Sequence, residues 1–161
     1  MKNIFFIWAI LGLVINLESC NYWRKPLTIQ RRSYLDGKIR MDGIYYNRLE
    51  GNFFLYNNGV FLDGGTGWYS FEGLIKDCQK PEYNKYLDVA YIWGVFEINY
   101  PNFVIEKWVS GNVGERYNTV KYNGKILNDT TIFLYNYPTG KDTFHFYRLA
   151  VKPDSTNLFV K

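Results

Sequence analysis

Tyr91-Ile92-Trp93-Gly94-Val95-Phe96-Glu97-Ile98-Asn99-Tyr100-Pro101-Asn102-Phe103-Val104-Ile105-Glu106-Lys107-Trp108-Val109-Ser110 reads as two strands and the turn between them. Tyr91 to Ile98 and Phe103 to Ser110 are rich in β-branched and aromatic residues, which fit a pleated surface. Asn99-Tyr100-Pro101-Asn102 is built from turn formers. Alternation along the first strand sends Trp93 and Val95 to one face and Gly94 and Phe96 to the other.

The same pattern recurs on both sides. Before it lie Ile44 to Tyr46, Asn52 to Tyr56 and Val60 to Leu62. Asn57-Asn58-Gly59 joins the last two, and its Asn-Gly pair predicts a type I′ hairpin, because both residues tolerate positive φ. After it lie Arg116 to Tyr122 and Thr130 to Tyr135, joined through a turn at Asn123-Gly124-Lys125 and a corner at Asn128-Asp129. Phe144 to Leu149 follows Pro138-Thr139-Gly140-Lys141-Asp142. Asn157 to Val160 is a weaker ninth candidate. One segment departs from this pattern. Phe71, Leu74, Ile75 and Cys78 follow the i, i+3, i+4, i+7 spacing of one helical face, with Ser70 as its cap and Pro81 beyond its end. A further helical turn is predicted within 82–88.

Eight antiparallel strands in sequence order, with one short helix between the third and fourth, predict a mainly β, up-and-down barrel. Closure removes the sheet edges that such a Tyr-rich sheet would otherwise expose. A β-sandwich is the alternative, because Greek-key crossings leave no trace in one sequence. Composition agrees with a strand-rich domain: aromatic residues make up 20% of the 161, with 15 Tyr, 12 Phe and 5 Trp.

The N-terminus has a different character. Met1-Lys2-Asn3 precedes an apolar run from Ile4 to Ile15, and polar Asn16 and Glu18 end it too early for a membrane-spanning helix. Leu17-Glu18-Ser19-Cys20 then resembles the bacterial lipobox, with Glu18 where a small residue is usual. That resemblance implies cleavage after Ser19 and diacylglycerol on Cys20. The predicted organisation is a signal peptide over 1–19, a lipidated tether over 20–38 containing Pro26, and a barrel domain over 39–161 that holds its core without disulfides. The membrane is then a partner through Cys20, and the domain is anchored to it without crossing it.

Four segments carry a further resemblance: Met41-Asp42-Gly43-Ile44-Tyr45-Tyr46, Trp93-Gly94-Val95-Phe96, Gly124-Lys125-Ile126-Leu127-Asn128-Asp129-Thr130-Thr131, and Lys152-Pro153-Asp154-Ser155-Thr156-Asn157. In this order, behind a lipobox, the chain resembles a group of uncharacterised lipoproteins of the Bacteroidetes type. The resemblance implies a lipocalin-like barrel and no catalytic residue. Asp129-Thr130-Thr131 and Asp154-Ser155-Thr156 also look like the O-glycosylation motif of such exported proteins. Lipoproteins of this type that reach the cell surface carry acidic residues soon after the cysteine. Here Asn21-Tyr22-Trp23-Arg24-Lys25-Pro26 follows, with no acid before Asp36. The expected address is the outer membrane, with the domain facing the periplasm.

Chemistry is sparse. A single histidine, His145, and two cysteines, Cys20 and Cys78, exclude a Cys/His zinc cluster and a two-histidine metal site. Asp142, His145 and the serines at 33, 70, 110 and 155 supply the letters of a triad, but no Gly-x-Ser-x-Gly elbow presents one. Glu97 and Glu106 flank the central hairpin as a candidate pair of carboxylates, although Glu106-Lys107 reads more simply as an exposed strand face. No phosphate loop, dinucleotide fingerprint or calcium loop is present, so no cofactor is expected. The net charge of +4 is scattered, with only Arg24-Lys25 and Arg31-Arg32 as basic pairs, and nucleic acid is not an expected partner. The aromatic residues have the most functional leverage. Trp68, Trp93, Trp108, Tyr45 and Tyr122 are candidates to line a barrel mouth, where rings with polar tips suit sugars or amphipathic ligands. The competing expectation is that they fill the barrel.

The expected function is therefore a lipid-anchored cell-envelope barrel without enzymatic activity. It would bind or scaffold a small amphipathic ligand, a glycan or an envelope partner. The alternative is a lipid-anchored hydrolase of envelope material or glycans.

Overall fold

The computed structural model describes residues 24–35, 37–65, 71–80, 87–110, 116–138 and 140–161. The signal segment, Cys20, Trp68, Ser70 and residues 82–86 lie outside these, so the lipobox, the helix cap and most of the predicted second turn are outside them too. Eight strands form a closed barrel in sequence order: β1 (Gly43–Asn47), β2 (Gly51–Leu55), β3 (Val60–Gly65), β4 (Trp93–Asn99), β5 (Asn102–Val109), β6 (Asn118–Asn128), β7 (Thr131–Leu134) and β8 (Asp142–Arg148). Every neighbouring pair is antiparallel, and β1 closes on β8 from Gly43↔Arg148 to Tyr46↔His145. Helix α1 (Phe71–Cys78) lies between β3 and β4, where the helical spacing predicted it. The barrel, rather than the sandwich, follows from the unbroken run of sequence neighbours.

Alternation divides the apolar residues into two layers. Tyr45, Phe53, Leu55, Phe61, Phe96, Phe103, Ile105, Ile126 and Phe144 form the inner layer. Phe53 and Phe144 sit on strands that are not neighbours, yet their ring centroids are 5.0 Å apart, so they meet across the lumen. Tyr137 closes over them, 5.4 Å from Phe144 and 4.7 Å from Tyr122. The outer layer holds Ile44, Phe54, Val60, Leu62, Trp93, Val95 and Trp108. It is covered by Leu74 and Cys78 of α1, by Ala90, and by Leu27, Ile29, Phe159 and Val160 from the two ends of the described chain. Each large side chain buried this way stabilises by about 1.5–3 kcal/mol.

Several local expectations are corrected. The β2–β3 turn is not type I′: no described non-glycine residue has positive φ, so only Gly59, at φ 81°, turns left-handed. Gly59 N–H donates to Tyr56 O and Tyr56 N–H to Val60 O, giving a three-residue loop with a left-handed glycine at its end. Asn123-Gly124-Lys125 is no turn but the middle of β6. A Cβ on Gly124 would lie 2.3 Å from Phe133 O, so this glycine permits close strand approach inside a continuous ladder. Asn157 to Val160 is irregular; Asn157 Oδ1 accepts from the amides of Phe159 and Val160.

The tether expectation needs the largest correction. Residues 24–35 are part of the domain. Arg24 bridges Tyr117 in parallel, and Lys25 N–H donates to Tyr117 O at 2.9 Å. Trp108 Nε1 donates to Lys25 O, and Arg31 Nε donates to Asn58 O. Tyr34 N–H donates to Asn57 O. The arm therefore runs along the outer wall from the start of β6 to the β2–β3 turn. Backbone groups that found β-strand and side-chain partners were invisible to a search for period.

Candidate functional site

The lumen is packed, so ligand-sized space lies at its ends and on its walls. One rim is formed by the start of β1, the end of β2 and the β6–β7 corner. Ile39 plugs this rim from the inner layer, with Arg40 N–H donating to Asp129 O at 2.9 Å and Tyr45 Oη donating to Arg40 O at 3.0 Å. Burial raises the Tyr45 hydroxyl pKa well above its usual value, so it remains a proton donor. Outside the plug is a cleft of about 710 Å³, lined by Tyr34, Arg40, Met41, Asp42, Tyr56, Asn57, Asn58, Asp129, Lys152 and Ser155 among others.

Lys152 is the chemical centre of this cleft. Its Nζ donates to Met41 O at 2.6 Å and to Leu55 O, and it lies 3.8 Å from the Tyr56 ring centroid. Burial lowers its pKa to about 7, and the Asp42 carboxylate opposes that fall. Asp42 itself is held by Arg40 at 2.7 Å and Arg148 at 3.1 Å, and the Arg40 hydrogen bond lowers its pKa. Tyr56 Oη donates to Pro153 O, which fixes the ring that faces the ammonium. Asn58 Nδ2 donates to Ser155 Oγ at 3.1 Å across the opening. Thus a cation near its titration point, a carboxylate, an amide and a hydroxyl surround an apolar floor.

A second buried polar group sits inside the barrel toward the other rim. Lys107 of β5 and Asp63 of β3 form an ion pair in the lumen, with side-chain exposures of 9% and 14%. Gly94 stands opposite Lys107 in the ladder. Asp63 Oδ1 also accepts from Gly65 N–H. Tyr137 is pushed well above its usual pKa, first by burial and then by the Asp63 charge. Tyr122 is raised by the same two causes.

The four described members of the predicted aromatic lining do not converge on one surface. Tyr45 and Tyr122 are in the inner layer, while Trp93 and Trp108 face outward beneath covering segments. Trp93 Nε1 donates to Leu87 O, and Trp108 Nε1 to Lys25 O, so both indoles are built into the wall packing. The candidate carboxylates also separate. Glu97 pairs with Val104 and is exposed, whereas Glu106 pairs with Val95 and is fully buried. Glu106 accepts from Thr28 N–H at 2.8 Å, Ile29 N–H at 2.7 Å and Thr28 Oγ1 at 3.1 Å. The Glu106-Lys107 pair is thus no exposed face: the first side chain turns under the arm and the second into the lumen. His145 is exposed on the outer wall of β8. Cys78 is buried in the outer layer.

Sequence reading missed Lys152, Arg40 and Asp42 as a unit. Their only trace was the set of segments carrying the family resemblance: residues from three of the four, Met41-Asp42, Asp129 and Lys152-Ser155, line the same cleft. Among the described residues, no group of three His, Cys, Asp or Glu side chains is placed to hold a metal ion, and no helix is long and apolar enough to cross a membrane. No family model matches the chain, and no curated protein or solved structure matches it.

Proposed function

We propose that the protein is a lipid-anchored cell-envelope barrel that binds or scaffolds, with the Lys152 cleft as its ligand seat. The anchor rests on the lipobox at Cys20, and the outer membrane facing the periplasm is its proposed address. One observation carries the binding reading: the lumen is filled with aromatic rings, while the open volume at the Met41–Leu55 rim is edged by convergent polar groups. An apolar floor with a few fixed donors and acceptors suits a glycan or a small amphipathic molecule. Ser155 and Asn58 offer hydroxyl and amide contacts, and Lys152 and Arg40 select for acidic substituents.

The test is titration of the purified chain against arrays of neutral and acidic glycans and of lipids. Lys152→Gln and Asn58→Ala should weaken any ligand found by at least about tenfold, the worth of one good hydrogen bond to a charged group. A ligand whose affinity ignores both substitutions would place its site elsewhere. The anchor is tested separately: Cys20→Ala should abolish acyl labelling, and retained labelling would remove the lipoprotein reading.

A further inference from the structure

The arm creates a second cleft on the outer wall of β4 and β5, of about 800 Å³. Five basic side chains line it, Arg24, Lys25, Arg31, Arg116 and Lys161, and among the described residues no acidic side chain does. Trp108 and Phe159 supply the apolar floor, with the Arg24 guanidinium 5.2 Å and 5.0 Å from their ring centroids. Glu106 lies under the arm and directs its charge into Thr28 and Ile29. Chain length then limits how far this cleft lies from Cys20. Arg24 is four residues from Cys20, so their Cα atoms lie within about 14 Å of each other even if the link is fully extended.

We propose that this cleft is a seat for the anionic phosphate headgroups of the leaflet that carries the anchor. Basic groups near a negative leaflet attract it at short range, and the Arg24 ring stack holds the seat in shape without lipid. The seat shares no lining residue with the Lys152 cleft, so membrane contact leaves the ligand seat open. The source of the headgroups rests on the lipid anchor proposed above, and the experiment separates the two.

The full chain is floated with vesicles of phosphatidylcholine alone and with vesicles that also contain phosphatidylglycerol. Flotation with the neutral vesicles reads the anchor; the gain with the anionic ones reads the cleft. Lys25→Glu/Arg116→Glu/Lys161→Glu should weaken the anionic gain by at least about a hundredfold, since each cation near the surface contributes severalfold. Neutral flotation should not change, and Lys125→Glu on the exposed wall of β6 should change neither. An anionic gain that survives the triple substitution overturns the proposal. A cleft that takes up inorganic phosphate without vesicles yet gives no gain on the anionic ones would be a free-phosphate site, and that result overturns the proposal too. If the triple variant does not fold, amine labelling of the unaltered chain decides. Lys25 and Lys161 should be protected on anionic vesicles relative to Lys125, and equal labelling overturns the proposal.

Discussion

Thr28 gives Glu106 both its amide, at 2.8 Å, and its hydroxyl, at 3.1 Å, across 78 residues of sequence. With the Ile29 amide added, a fully buried carboxylate is satisfied by the arm alone among its described partners. Glu106→Ala leaves these donors without an acceptor and should cost about 2–4 kcal/mol, while Thr28→Ala, which keeps the amide bond, should cost about 1 kcal/mol. Urea titration measures both. Hydrogen exchange at Thr28 and Ile29 should speed up in Glu106→Ala well beyond the global loss. An arm that stays protected would show that Glu106 does not hold it.

Lys152 sets a pH dependence with a definite sign. Its folded pKa of about 7 lies below the unfolded value near 10.5, so below pH 7 both states are charged and the fold bears the full cost of burying the ammonium. Between about pH 7 and 10 the unfolded chain binds more protons, and stability rises with pH. The neutral amine still has two hydrogens for the carbonyls of Met41 and Leu55. Tyr45, Tyr122 and Tyr137 act oppositely: their raised folded pKa values give stability that is lost above about pH 10. Stability should therefore peak at about pH 9–10, and Lys152→Gln should flatten the rise from pH 7. A wild-type optimum at pH 5–6 would contradict the burial of Lys152.

Cys78 gives a simpler test. It is 4% exposed on the buried face of α1, so it should react with thiol reagents only as fast as the helix or the domain opens. Cys78→Ala should cost about 1 kcal/mol. Rapid labelling of the native protein would place the α1 face away from the wall.

The fold was legible because period and punctuation act locally. Each strand carries its own alternation, and α1 its own i, i+3, i+4, i+7 stripe. What the sequence hid depends on contacts distant in the chain. Gly124 looks like a turn residue until β7 is laid against it. Glu106 looks exposed until Thr28 arrives, and Lys107 looks exposed until Asp63 faces it across the lumen. Trp93 and Trp108 were legible as strand residues, but alternation alone does not say which face is the inside. The Lys152 cleft was hidden because its parts lie 111 residues apart, joined by a hydrogen bond from Lys152 to Met41.

Gly43 marks the seam where the barrel closes. A Cβ there would lie 2.0 Å from Tyr147 O and 2.8 Å from the Phe146 ring. Backbone on β8 cannot yield cheaply, so Gly43→Ala should cost about 2–3 kcal/mol, at the upper end for overpacking. Gly37→Ala, which meets nothing within 4 Å and is strained only by its φ of 65°, should cost about 1 kcal/mol. Thermal melts order the two, and a milder effect at Gly43 would mean that β1 and β8 are not so closely paired.

The Asp63–Lys107 pair tests whether the lumen tolerates charge or depends on it. Removing one partner strands the other among aromatic rings, so Lys107→Met alone should cost about 3–5 kcal/mol. Asp63→Asn alone strands the ammonium but keeps an acceptor for the Gly65 amide, and should cost about as much. The double variant leaves no charge in the lumen and preserves that acceptor. It should recover to within about 1–2 kcal/mol of the parent, because desolvation of the pair offsets most of its attraction. A double-mutant cycle in urea measures the coupling, which should survive high salt because the pair is shielded from solvent ions. Additive losses would mean that the two charges do not meet in solution, and that Tyr137 closes the barrel without them.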